Sequence, residues 1–125
     1  MPIVTVRSNL PSASPDFQGK FFEFLKDLLK TPRVIITLEF GKDMTNGGST
    51  NPTILLSLAA VNRLHRDTMP RLHKAIAEFL STTLNVSLES ILIVFSKPAC
   101  DEVSFAGKPL PEFLARDRDV EFWQD

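Results

Sequence analysis

The chain has 125 residues, a formal net charge of −1, 43% hydrophobic and 23% charged residues, and a single cysteine. That length fits one domain with a real core. The charge gives no basic footprint for nucleic acid and no polybasic patch for a membrane, and one Cys, Cys100, excludes a disulfide framework within the chain.

The first element follows Met1-Pro2: Ile3-Val4-Thr5-Val6 reads as a strand, which Pro can begin because the first position need not donate to the ladder. A small residue at position 2 also lets the initiator Met be trimmed, which would leave a secondary amine at the mouth of a sheet. No positive segment followed by an apolar run precedes it, so no secretory signal is expected and the default location is the reducing cytoplasm. No apolar run approaches the ~20 residues of a membrane span, so no membrane insertion is expected.

Ser14-Pro15-Asp16 reads as a helix start, with a Ser cap, Pro at the first helical position and an acid in the first turn. Phe17, Phe21, Phe24/Leu25 and Leu28 then recur at helical spacing, and Lys30-Thr31-Pro32 ends the helix. Val34–Phe40 is a β-branched strand and Gly41–Asn51 a loop, most flexible at Asn46-Gly47-Gly48-Ser49-Thr50. The order then repeats: strand Thr53–Val61, a helix capped at Asp67-Thr68 with a face of Met69, Leu72, Ile76 and Phe79/Leu80, and strand Ile91–Phe95. Arg63-Leu64-His65-Arg66-Asp67 reads as an exposed lead-in to the second helix. Beyond Phe95 a short hairpin is expected around Val103-Ser104-Phe105, and Pro111–Asp125 forms either a docked terminal helix or a tail.

The expected fold class is therefore α/β (α+β in some schemes), a tandem β-α-β repeat whose right-handed crossovers make each strand pair parallel in a four-stranded mixed sheet. Two helices cover only one face of such a sheet. Ile54-Leu55-Leu56 and Ile91–Phe95 are apolar on both alternating sides, so the other face is expected to meet a copy of itself.

Recognisable cofactor and metal chemistry is missing. His65 and His73 have no Cys or acid at ligand spacing. Gly47-Gly48 lacks the Lys-Ser/Thr of a phosphate loop, and there is no Cys-x-x-Cys pair and no Gly-x-Ser-x-Gly elbow. Neither cofactor nor metal is expected, and enzyme chemistry would come from the N-terminus.

With these observations assembled, the chain resembles the tautomerase superfamily, and within it the macrophage migration inhibitory factor and D-dopachrome tautomerase family. The resemblance is carried by Pro2, Ser8-Asn9-Leu10-Pro11, Gly47-Gly48-Ser49-Thr50-Asn51-Pro52 and Ser90–Phe95, in the same order across roughly residues 2–107. It implies a tautomerase domain over 1–110 and a C-terminal extension over 111–125. It also implies a homotrimer with a pocket at each subunit interface, and a free Pro2 nitrogen that moves a proton between two atoms of an α-keto acid.

The family places a Lys before a Pro at the end of the first helix. Here Lys30-Thr31-Pro32-Arg33 allows either Lys30 or Thr31 at that position, with Arg33 able to supply the charge. Val61 falls where the family presents a backbone amide to substrate, although the usual Ser-Ile-Gly is Ala60-Val61-Asn62 here. Leu92 and Val94 stand where the cytokine branch has Tyr and Asn from a neighbouring subunit and the D-dopachrome branch has Leu and Arg. Phe105 stands near the position where the family has a pocket-rim Trp. The resemblance thus implies a keto–enol tautomerase for phenylpyruvate- or dopachrome-like substrates, using Pro2 as base, Lys30, Arg33 or both on the carboxylate, and Val61, Leu92, Val94 and Phe105 around the pocket. The alternatives are a cytokine-like binding protein that meets a cell-surface receptor after export without a signal peptide, and a silent trimer that keeps the fold alone.

Overall fold

Strand β1 (Ile3–Ser8) alternates in burial, with Val4, Val6 and Ser8 inside and Ile3 and Arg7 outside, the period of a pleated ribbon. The structure, a computed structural model, describes residues 1–61 and 63–110. Beyond β1 it contains α1 (Phe17–Leu29), β2 (Ile35–Glu39), β3 (Ile54–Ala59), α2 (Met69–Leu84), β4 (Ile91–Ser96) and a small hairpin of β5 (Ser104–Phe105) and β6 (Lys108–Pro109). The helix or tail expected over 111–125 lies outside the described residues.

The four long strands form one sheet in the order β2-β1-β3-β4. β1 runs parallel to β2, with Ile3 opposite Ile35, and antiparallel to β3, with Ile3 opposite Ala59. β3 runs parallel to β4, with Ile54 opposite Ile91. Each strand–helix–strand unit therefore supplies one parallel pair, as the tandem repeat requires.

Both helices lie on one face because each carries one apolar stripe. Phe17, Phe21, Leu25 and Leu29 are buried on α1, and Leu72, Ile76 and Leu80 on α2, every fourth residue in both cases. They pack on Val4, Val6, Ile54, Leu56 and Leu58 of the sheet. Aromatic contacts knit the two helices: Phe21 stacks on Phe79 at 5.7 Å between centroids and Phe24 on Phe79 at 4.3 Å. The opposite face carries exposed apolar residues, Ile35 at 57%, Leu92 at 61% and Val94 at 49% exposure.

Two helix starts differ from the sequence reading. α1 begins at Phe17 rather than at Pro15, because Ser14 caps a turn: its carbonyl accepts the Phe17 N–H and its hydroxyl donates to Asp16 Oδ1. With Lys20 also at 3.0 Å, that hydrogen bond holds the Asp16 carboxyl below its usual pKa. At α2 the Thr68 hydroxyl donates back to the His65 carbonyl instead of capping a helix N–H.

The lead-in to α2 is not exposed as a whole. Arg63 and Leu64 are only 6% and 5% exposed, since Leu64 joins the main core and carries its neighbour inward.

The 41–53 loop is fastened by Asn9, with the Ser8 hydroxyl donating to the Thr53 carbonyl at 2.8 Å beside it. Asn9 Nδ2 donates to the Asn51 carbonyl at 2.9 Å and the Thr50 carbonyl at 3.2 Å, while its Oδ1 accepts the Thr53 N–H at 2.9 Å. The loop tip closes by paired Asn46–Ser49 hydrogen bonds over Gly47 and Gly48, whose φ of +58° and +83° suit a two-residue hairpin turn.

Leu56 sits fully buried on the central β3, between sheet and helices. Leu56→Ala is expected to cost about 2–5 kcal/mol, the range for a large-to-small change at a packed core site. Denaturant unfolding at fixed protein concentration measures it, and a loss below ~1 kcal/mol would contradict the core described.

Candidate functional site

The mixed pairing brings four chain segments to one end of the sheet. β1 and β2 begin there, and β3 and β4 finish there. Pro2, Arg33, Val61 and the segment after Ser96 are thereby neighbours across the sheet end. Hydrogen bonds extend the ladder into this region: Ile35 N–H donates to the Pro2 carbonyl at 3.0 Å, and Ala60 N–H donates to the Ser96 carbonyl at 3.2 Å. Pro2 is buried.

The chain leaving β4 folds back over this end. Cys100–Glu102 form a 3-10 turn, with Glu102 Oε1 accepting the Ala99 N–H at 2.9 Å. The β5–β6 hairpin follows and is closed by Leu110, whose N–H points to both the Val103 carbonyl at 3.0 Å and the Cys100 carbonyl at 3.3 Å. Val61, Cys100 and Leu110 form a small buried apolar cluster of their own, with Met1 and Val103 packed against it. The hairpin tip reaches Arg33, whose guanidinium carbon lies 5.9 Å from the centre of the Phe105 ring.

Arg33 is set by the segment that ends α1. Lys30 closes the helix in the left-handed region, at φ 59°, with its N–H on the Lys26 carbonyl. Thr31 turns inward and is buried, and its Oγ1 accepts the Arg33 N–H at 3.1 Å. Lys30 and Arg33 are both exposed residues, and these hydrogen bonds fix their backbones. Thr31, the other candidate for the family cation position, spends its hydroxyl on this turn.

The residues singled out from sequence thus divide. Pro2, Arg33, Val61 and Phe105 lie at one sheet end, with Lys30 at the helix end that leads into it. Leu92 and Val94 do not join them within the chain: they face outward on β4, and pairing sets Leu92 beside Leu55 and Val94 beside Ser57. Met1, Cys100, Val103 and Leu110 were missed as lining residues. The only trace in sequence is that Cys100, Val103 and Leu110 are the apolar residues at the hairpin's foot.

Comparison with known proteins follows this geometry. A family model for macrophage migration inhibitory factor matches residues 1–110. Among solved structures, the macrophage migration inhibitory factor of Oncomelania hupensis is similar with a TM-score of 0.88 and 25% identity, over 96% of this chain and 90% of that one. The factor from Trichinella spiralis matches with a TM-score of 0.80 and 20% identity, over 86% of this chain and 99% of that one. A homologue from Prochlorococcus marinus gives 0.78 and 18%, over 87% and 99%. No curated protein sequence matches.

The hairpin tip carries a strained residue. Ala106 has φ 54° ahead of Gly107 at φ 80°, and an L-residue in the left-handed region costs roughly 1 kcal/mol. Ala106→Gly is expected to slow exchange of the Leu110 amide about fivefold, the equivalent of that strain. Ala106→Val should speed it. Native-state hydrogen exchange reads both, and the opposite order would contradict the turn geometry.

Proposed function

The chain belongs to the macrophage migration inhibitory factor family, and on that basis we propose that it is a cofactor-independent keto–enol tautomerase with Pro2 as general base, acting on phenylpyruvate- or dopachrome-like substrates. The observation that carries this is the convergence of buried Pro2, Arg33, Val61 and the Phe105 hairpin at one sheet end. With Met1 attached, Pro2 nitrogen is an amide and accepts no proton. With Met1 removed it is a secondary amine at the start of β1, held in place by the Ile35 hydrogen bond to its carbonyl.

An α-amine has an unperturbed pKa of about 7.7–8.0. Burial and the neighbouring Lys30 and Arg33 charges both favour its neutral form. The neutral nitrogen takes a proton from one atom of the keto–enol system and returns it to the other. Arg33, with a planar fork of donors, suits a carboxylate, and Lys30 adds charge from the helix end. Val61 and Phe105 supply apolar wall.

Assembly belongs to the same reading. The helix-free sheet face leaves Ile3, Ile35, Leu92 and Val94 exposed, an apolar surface that a second copy would cover. In the homotrimer typical of such folds, Leu92 and Val94 of a neighbouring subunit complete the pocket. A second reading, a cytokine-like binding protein with weak catalysis and a cell-surface receptor, is favoured by one observation: Ala60 and Val94 bring no polar side chain to the substrate. Location inside the cell, or export without a signal peptide, follows whichever reading holds.

Two outcomes are expected. For the chain beginning at Pro2, enolisation of phenylpyruvate should fall roughly 10²–10⁴-fold in Pro2→Gly, the usual contribution of a positioned base. The wild-type rate should fall as pH drops through the amine pKa and protonates it. Equal rates for the two proteins would reject catalysis by Pro2, and receptor-type binding unaffected by Pro2→Gly would support the second reading. For assembly, light scattering should give a trimer mass for the wild type and a smaller mass for Leu92→Lys, which sets a charge in the apolar face. A wild-type monomer would remove the shared pocket.

A further inference from the structure

Neither the core nor the chemistry at the Pro2 end uses the tip of the 41–53 loop, and that tip carries the one Asn-Gly step of the chain, Asn46-Gly47. Asn46, Gly47 and Gly48 are all exposed. The paired hydrogen bonds of the turn run between the backbone groups of Asn46 and Ser49 and do not use the Gly47 N–H. A Cβ placed on Gly47 would meet nothing within 4 Å, so the space around this peptide is open. Having no Cβ, Gly47 also leaves its nitrogen unshielded toward the preceding side chain. The other asparagines lack this combination. Asn9 is pinned through both its Nδ2 and its Oδ1. Asn51 precedes Pro52, which has no N–H to give up, and Asn62 and Asn85 precede the larger Arg63 and the β-branched Val86.

From this juxtaposition we propose that Asn46 is a site of slow self-modification, its side-chain amide closing on the Gly47 nitrogen to a succinimide that opens to aspartate and isoaspartate. The Gly47 nitrogen gives up its proton and bonds to the Asn46 Cγ, the Cγ–Nδ2 bond breaks, and ammonia leaves carrying that proton. Water then opens the ring. Attack at Cγ gives aspartate with the ordinary main chain, and attack at the backbone carbonyl carbon gives isoaspartate, whose main chain runs through Cβ. Water is the only co-reactant. Closure requires the Asn46 side chain to swing over the next peptide, which a two-residue tip outside the core permits by opening its own pair of hydrogen bonds. Either product adds one negative charge to a chain of formal net charge −1. Isoaspartate also lengthens the main chain at the residue paired with Ser49, so the tip loses its pairing. The change stops at the base of the loop, where Asn9 still holds the Thr50 and Asn51 carbonyls and the Thr53 N–H. The tip joins the end of β2 to the start of β3, the end of the sheet opposite Pro2.

The test ages the full folded chain at mildly alkaline pH beside Asn46→Gln, which keeps a side-chain amide and Gly47 but must close a larger ring. Isoelectric focusing is expected to show an acidic form growing with time in the wild type, and growing at least about tenfold more slowly in the variant, a barrier difference of about 1.4 kcal/mol. Peptide mass mapping should place the new carboxyl at position 46. Isoaspartate has its own readout: a carboxyl methyltransferase specific for it moves a labelled methyl from the sulfonium of S-adenosylmethionine to the new carboxylate oxygen. Label should enter aged wild type and stay absent from fresh protein and from aged Asn46→Gln. An aged wild type with no acidic form, equal rates in the two proteins, or a charge change that maps to another asparagine would overturn the proposal.

Discussion

The arrangement depends on the two-sided pairing of β1. One edge of this strand is parallel to β2 and the other antiparallel to β3, with Ile3 opposite both Ile35 and Ala59. Had both pairings been parallel, β3 would begin rather than finish at the Pro2 end, and Val61 would sit at the far side of the sheet. The parallel β3–β4 pair then carries the effect outward, because it delivers the chain after Ser96 to the same end. One strand's hydrogen-bond pattern thus determines which residues share the sheet end with Pro2.

The same sheet divides its two faces by function. The face under the helices is filled by Val4, Val6, Ile54, Leu56 and Leu58, and its packing fixes the strands. The other face is left with Ile35, Leu92 and Val94 exposed beside the Arg7–Glu39 pair, which spans β1 and β2 at 3.2 Å. That ion pair is solvent-exposed on the Arg side and contributes little to stability. A monomer has reason to keep the first face and little reason to keep the second. The apolar residues of β4 make physical sense as surface awaiting another chain.

Much of this was legible in the residues because it is local. Every-fourth spacing of Phe17, Phe21, Leu25 and Leu72, Ile76, Leu80 reports helix faces directly, and β-branched runs report the strands. That Pro2, Arg33 and Val61 would share one end of the sheet follows from the tandem strand order, while their proposed roles, and that of Phe105, came from the family resemblance. What failed is long-range or competitive. The α1 start moved because Ser14 and Asp16 satisfy each other, which no propensity distinguishes from a helix cap. Arg63 and Leu64 look solvated in a charged stretch, yet core packing by Leu64 draws them in. The small apolar cluster that joins Met1 to Val61, Cys100, Val103 and Leu110 depends on contacts across nearly the whole chain, and Cys100 in isolation suggests only a question about disulfides.

The ends of the two repeats differ in a way that bears on the candidate cations. Both helices close on a residue in the left-handed region, Lys30 at φ 59° and Asn85 at φ 55°. Asn tolerates that conformation through its short polar side chain, and Gly tolerates it best. Lys has neither advantage, and an L-residue there costs roughly 1–2 kcal/mol. A cation at a helix C-terminus recovers about 0.3–1 kcal/mol from the dipole, which offsets part of the strain but leaves a deficit. Stability alone would favour an Asn or Gly at position 30, as the second repeat has at position 85. The strained Lys30 stands just ahead of the buried Thr31 turn that fixes Arg33, at the end of the sheet where Pro2 lies. Helix termination alone does not require a long cation there against the local backbone preference, and the proposed binding of a carboxylate beside Pro2 would use one.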